Sequence, residues 1–179
     1  MICQTVTCHD KTFELYLPEA DILQDIETVA QKLNADYAGK NPIFVAVLNG
    51  SFMFASDLLK EITIPCEISF VKVASYENTE STGQVKDLMG LKEDIANRHV
   101  VLLEDIVDTG NTMVALFDIL KARKPASIEI AALLHKPDCL QHTLEIKYIG
   151  REIPNDFVIG YGLDYNGQGR NYKNIYKVI

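Results

Sequence analysis

Three short apolar runs constrain this chain more than any other feature: Pro42-Ile-Phe-Val-Ala-Val-Leu48, His99-Val-Val-Leu-Leu103 and Ser127 to Leu134. Strands that are buried on both faces lose the polar alternation of a half-exposed strand and read as continuous apolar segments. Between them the apolar period changes to three or four. Ile22, Ile26, Val29, Ala30, Leu33 and Tyr37 mark a helix over 21–37, with Asp21 as its N-cap. Asn49-Gly50-Ser51 is a tight turn, and a helix is expected from about Phe52 to Lys60. Met113, Leu116, Phe117 and Leu120 mark a third helix over Thr112 to Ala122. Strand and helix in alternation imply right-handed crossovers, hence an α/β fold with a parallel sheet covered by helices on both faces.

The remaining segments are weaker. Cys66 to Ser75 alternates as a strand would, and the polar stretch Glu77 to Lys92 reads as a long mobile loop. Leu144 to Ile149 and Asp156 to Leu163 are strand-like without long helices between them, which suits an antiparallel flap or a sheet edge. A chain of 179 residues supports one core, and a single domain is expected over 1–179. No apolar run is long enough for a membrane span, and the start MICQTVTCHDK lacks the layout of a signal peptide, so the expected location is cytoplasmic. Cys3, Cys8, Cys66 and Cys139 show no C-x-x-C spacing, and Cys8-His9 lacks companions for a structural metal site. A formal charge of −8 opposes nonspecific binding to nucleic acid.

Ligands of open parallel sheets gather at the carboxyl ends of the strands. There the run Val100 to Leu103 passes into Glu104-Asp105-Ile-Val-Asp108-Thr109-Gly110-Asn111-Thr112. Exposed N–H groups and the positive end of a helix dipole in one turn can hold a phosphate. Asp108 can exchange a proton, and Glu104 and Asp105 can accept hydrogen bonds from sugar hydroxyls or from water on a metal. On spacing alone, Asp108 and Thr109 also fit plain helix caps.

This stretch resembles the phosphoribosyl-pyrophosphate motif of the purine/pyrimidine phosphoribosyltransferase family, in its hypoxanthine-guanine form, and the likeness runs from about Ile43 to Arg170 in order. The resemblance implies a type I phosphoribosyltransferase fold, with a core from about 20–135 and a small hood from 1–19 and about 137–179. It implies Mg²⁺-dependent conversion of hypoxanthine, and of guanine, with 5-phosphoribosyl-1-pyrophosphate (PRPP) to IMP or GMP and pyrophosphate. It further implies small-molecule substrates rather than nucleic acid or membrane, and a homodimer or homotetramer.

The family's site residues carry over as follows. Glu104 and Asp105 would hold the ribose hydroxyls and hydrated Mg²⁺, with Asp164 as a further metal ligand. Asp108 would be the acid or base at purine N7. Asp108, Thr109, Gly110, Asn111 and Thr112 would cradle the 5′-phosphate. Asn49 and Gly50 match the pyrophosphate loop, whose family form contains a cis peptide and, in human-type enzymes, a Lys at the Asn49 position. Arg170 would also hold pyrophosphate, after Asn166-Gly-Gln-Gly169, a stretch that is bulkier in many relatives. Lys136 would donate to the purine 6-oxygen, Phe157 would stack on the base, and Val158 would offer main-chain contacts to its edge. Ser75-Tyr76 would head a lid. No cysteine or histidine receives a role.

A regulatory protein of the same fold that binds RNA or DNA is opposed by the acidic charge and by the presence of Asp108, Lys136 and Phe157 together. An adenine or uracil enzyme fits less well, since adenine lacks a 6-oxygen and uracil lacks N7. Neither G-x-G-x-x-G nor G-x-x-x-x-G-K-[ST] occurs.

Overall fold

Residues 4–73 and 88–179 are described by a computed structural model. The apolar runs form the middle of a six-stranded sheet with the order β5-β4-β3-β6-β7-β8. These strands are β3 (Ile43–Leu48), β4 (Glu67–Val73), β5 (Leu88–Met89), β6 (His99–Val107), β7 (Ser127–His135) and β8 (Tyr148–Glu152). Every pairing is parallel except β4 with β5.

Successive side chains of the central strands pack in opposite directions. Phe44, Ala46, Val101, Leu103, Ala131 and Leu133 face a core built with α1 (Glu19–Asp36) and α2 (Phe52–Glu61). Ile43, Val45, Val100, Leu102, Ile130 and Ala132 face Met113, Leu116 and Leu120 of α3 (Asn111–Lys121). All twelve of these strand residues are buried, which is why the runs carry no polar alternation.

A second, antiparallel sheet joins the two ends of the chain in the order β1-β2-β10-β9. It contains β1 (Thr5–Cys8), β2 (Lys11–Leu17), β9 (Val158–Ile159) and β10 (Ile175–Val178), around a small core of Cys8, Phe13, Ile159 and Tyr176. The two weak segments thus divide. Tyr148–Glu152 takes the sheet edge, parallel to β7, and Val158–Ile159 joins the antiparallel sheet.

Two local expectations are corrected. The first helix begins at Glu19 with Pro18 in the N-cap position, not at Asp21. Its cap comes from far away, since the Glu19 amide donates to Asn174 Oδ1 at 2.9 Å. The second correction concerns Glu77 to Lys92, whose residues Leu88–Met89 pair with β4 as a strand. Gly90 permits this, because a Cβ there would lie 2.2 Å from the Phe70 carbonyl oxygen.

Candidate active site

Strand β6 continues four residues past the apolar run, so Glu104 and Asp105 sit on a paired, rigid element rather than in a loop. Glu104 Oε2 is shut off from solvent with no hydrogen-bond partner among the described residues. Burial, and then the neighbouring Asp105 charge, push its carboxyl well above the ordinary range. Asp105 is also buried, and burial raises its pKa to about 6 against the opposing pull of the Ile106 amide, which donates to it at 2.9 Å. Two adjacent carboxyls kept from water are costly to ionise without a counter-charge.

The β3–α2 turn packs directly on this pair. A Cβ at position 50 would lie 1.7 Å from Asp105 Oδ2, so only glycine lets the turn approach. On the other side, a Cβ at Gly162 would lie 2.0 Å from the Gly50 carbonyl oxygen, and Gly162 has φ of +98°. Asp105, Gly50 and Gly162 are therefore stacked in one layer. The Leu48-Asn49 peptide is cis, in keeping with the resemblance at this loop.

At the end of β6 the chain turns into α3 through Gly110, which has φ of +83° and occupies the N-cap position without a side-chain cap. Thr109 Oγ1 accepts from the Asn111 amide at 3.4 Å. A cavity of about 90 Å³ lies in this turn, lined by Glu104 and by residues 106–113. Amides at a helix N-terminus facing an open cavity are a ready anion site.

Asp108 is part-exposed at the cavity and accepts from Lys136 Nζ at 3.2 Å. The Lys136 side chain is only 8% exposed, far from the solvated strand-end lysine that position alone suggests. Its amide bonds to the Val107 carbonyl at 2.9 Å, which fixes the end of β7 against the end of β6. Phe157 is 43% exposed and packs beside Phe13 and edge-on to Tyr165. Val158 is buried next to it, paired with Lys177.

Asp164 and Arg170 meet at 2.6 Å. The Gly167 amide donates to Asp164 at 2.7 Å, and Arg170 Nη1 donates to the Gly162 carbonyl at 2.7 Å. The segment 166–169, unusual in sequence, is a closed turn in which Tyr165 and Gln168 exchange both backbone hydrogen bonds. Its small residues permit that turn, and Arg170 is held at both ends of its guanidinium. Both Asp164 and Arg170 act electrostatically on Asp105, which joins this pair to the Gly50 layer.

Most of the residues singled out in the sequence thus converge at the carboxyl ends of β3, β6 and β7 and the adjoining 157–170 segment. Ser75 and Tyr76 lie outside the described residues. Gly162 was missed by sequence reasoning; its signal was the Gly-Tyr-Gly spacing beside Asp164, which reads only as a turn until the Gly50 contact is seen.

Comparison with known proteins gives the family. The phosphoribosyl transferase domain family matches residues 15–166. A hypoxanthine-guanine phosphoribosyltransferase of Staphylococcus aureus is 42% identical over 164 residues, 91% of this chain and 92% of that protein. A hypoxanthine-guanine phosphoribosyltransferase of Streptococcus agalactiae is 42% identical over 88% of this chain and 86% of its own length. Among solved structures, a hypoxanthine phosphoribosyltransferase of Staphylococcus aureus superposes with a TM-score of 0.83 at 40% identity, covering 93% of this chain and 91% of the other. The hypoxanthine phosphoribosyltransferase of Trypanosoma cruzi does so with a TM-score of 0.84 at 33% identity, covering 97% and 95%. With a matching domain over most of its length and these relatives along nearly all of it, the chain belongs to the phosphoribosyltransferase family, in its hypoxanthine-guanine branch.

Proposed function

We propose that this enzyme joins hypoxanthine or guanine to the ribosyl C1′ of PRPP, giving IMP or GMP and pyrophosphate. The observation that carries the reading is the Asp108–Lys136 pair at the mouth of the β6–α3 turn. Lysine has donors only, while an ionised carboxylate only accepts. Side by side they match the adjacent 6-oxygen and N7 of a 6-oxopurine, with Lys136 donating to the oxygen and Asp108 taking or returning the N7 proton. Adenine offers an amino donor at position 6, which Lys136 cannot accept.

In the reaction, N9 of the base bonds to C1′ as the C1′–oxygen bond to pyrophosphate breaks. The base loses one proton, which Asp108 handles. Asp108 through Thr112 anchor the 5′-phosphate with amides and the hydroxyls of Thr109 and Thr112. Asn49, Gly50 and Arg170 hold the pyrophosphate, so that its developing charge meets donors already in position. Phe157 stacks on the purine, and the Val158 main chain meets its edge.

The residues present fit Mg²⁺. Magnesium commonly takes one or two carboxylates together with substrate phosphates, and no group of three or more His, Cys, Asp or Glu side chains among the described residues suits a metal held by protein alone. Glu104 and Asp105, both carboxyls buried, would hold it and its water, with Asp164, whose charge acts on Asp105, as the further carboxylate that the resemblance implies. When bound, Mg²⁺ neutralises charge on the pyrophosphate.

We place the reaction in the cytoplasm; no helix among the described residues is long and apolar enough to cross a membrane. We also infer a homodimer or homotetramer, in line with a Trypanosoma cruzi relative whose oligomeric state has been examined together with its activity. Ultraviolet-monitored nucleotide formation from hypoxanthine and PRPP tests the reading. Activity that requires Mg²⁺ and stops on chelation supports it, and no nucleotide with Mg²⁺ present contradicts it.

A further inference from the structure

The segment that follows β7 folds back on the turn between β6 and α3 and clamps it at three points. The Gln141 amide donates to the Thr109 carbonyl at 3.0 Å. Leu140 and Leu144 pack over Gly110, so closely that a Cβ there would lie 3.0 Å from Leu140 Cδ1. The third point is His142, whose Nε2 lies 2.5 Å from Asn111 Oδ1. An amide oxygen only accepts, so Nε2 carries the proton and donates. This contact leaves the Asn111 NH₂ group free to donate elsewhere, while the Asn111 amide is the first of α3.

Resting on the phosphate-site reading above, we propose that His142 is a positioning residue for the 5′-phosphate of the substrate, acting through Asn111. The turn presents Asp108, Thr109, Gly110, Asn111 and Thr112 to the cavity and contains no cationic side chain. Its affinity for a phosphate must therefore come from correctly aimed neutral donors, and a donor whose partner rotates freely loses part of its strength to entropy. His142 fixes the Asn111 side chain without itself lining the cavity. The sequence carries no sign of this, since His142 stands in a polar stretch 31 residues from Asn111.

The test compares His142→Ala, His142→Gln, Asn111→Ala and the double variant, each checked for an unchanged melting temperature. Glutamine places an amide donor near the position of Nε2 and should restore the contact. His142→Ala should raise the KM for PRPP roughly tenfold, the scale of one hydrogen bond serving a charged group, with kcat and the KM for hypoxanthine within about twofold of wild type. His142→Gln should recover most of the loss. In binding measurements, IMP should weaken while inosine, which lacks the phosphate, should not. The Ala substitution at 142 should add little once Asn111 is already Ala.

If the KM for PRPP is unchanged in His142→Ala, if inosine weakens as much as IMP, or if the full loss persists in the Asn111→Ala background, the proposal is overturned. Should His142→Ala fail to fold, His142→Gln against the shorter His142→Asn provides the same comparison: equal KM values for PRPP would overturn it. A wild-type protein that neither binds PRPP nor forms nucleotide would sink the phosphate-site reading itself, a result distinct from all of these.

Discussion

The two sheets solve different problems. The central strands of the six-stranded sheet are buried on both faces and hold carboxylates in place where water is scarce. The antiparallel sheet of the chain ends encloses a small core and leaves Phe157 at its edge, 43% exposed. Rigid placement suits groups that must meet developing charge without reorganising. A lighter, partly exposed element suits an aromatic that must admit and release a flat base. On the function proposed above, chemistry falls to the main sheet and base stacking to the lighter one, and the two meet where Gly162 packs on Gly50 and where Arg170 and Asp164 act on Asp105.

That division can be broken in four ways. The largest effect is expected at Asp108→Asn, which should lower kcat by about 10²–10⁴-fold, the usual range for losing a general acid or base, and leave PRPP affinity nearly unchanged. Unaltered turnover would remove Asp108 from the chemistry. Next, Leu102→Ala in the main sheet should cost about 3 kcal/mol in denaturant unfolding, because a fully buried leucine leaves a cavity in a core that relaxes poorly.

Asp105→Asn sharpens the contrast through pH. The folded protein raises the Asp105 pKa from 3.8 to about 6, so folding favours the protonated acid. That preference costs nothing below the unfolded value, grows as pH rises through the interval, and is complete above the folded value. Without metal or substrate, Asp105→Asn should therefore be more stable than wild type by about 2–3 kcal/mol above pH 6, with the gain vanishing below pH 4, while activity falls. Equal stability at pH 8 would mean that the carboxylate is not strained by burial. The smallest of the four is Phe157→Ala, which should raise the KM for base about tenfold, the scale of one stacking contact, with little loss of stability. A stability loss as large as that of Leu102→Ala would erase the distinction between the sheets.

Much of the main sheet was legible because strands buried on both faces announce themselves: β3 and β7 match their apolar runs almost residue for residue. β6 was read too short, since Glu104 and Asp105 look like loop residues unless the sheet beneath them is known. The start of α1 was misplaced because its cap is Asn174, 155 residues away. In the site, the turn from Asp108 to Thr112 was visible as polar residues at the junction of a strand and a helix. What joins the parts was not. The fit of Gly50 against Asp105, the Gly162 contact, and the burial of Lys136 against Asp108 all depend on residues brought together by topology.

The central claim is that the Asp108–Lys136 pair reads the 6-oxygen and N7 edge of a purine while the β6–α3 turn holds the ribosyl phosphate. It is tested most directly by following nucleotide formation from PRPP and Mg²⁺ with hypoxanthine, guanine, xanthine, adenine and uracil in parallel. The account expects turnover with hypoxanthine and guanine and none with adenine or uracil. Turnover with adenine matching that with hypoxanthine, or no turnover with any base despite bound PRPP, would contradict it.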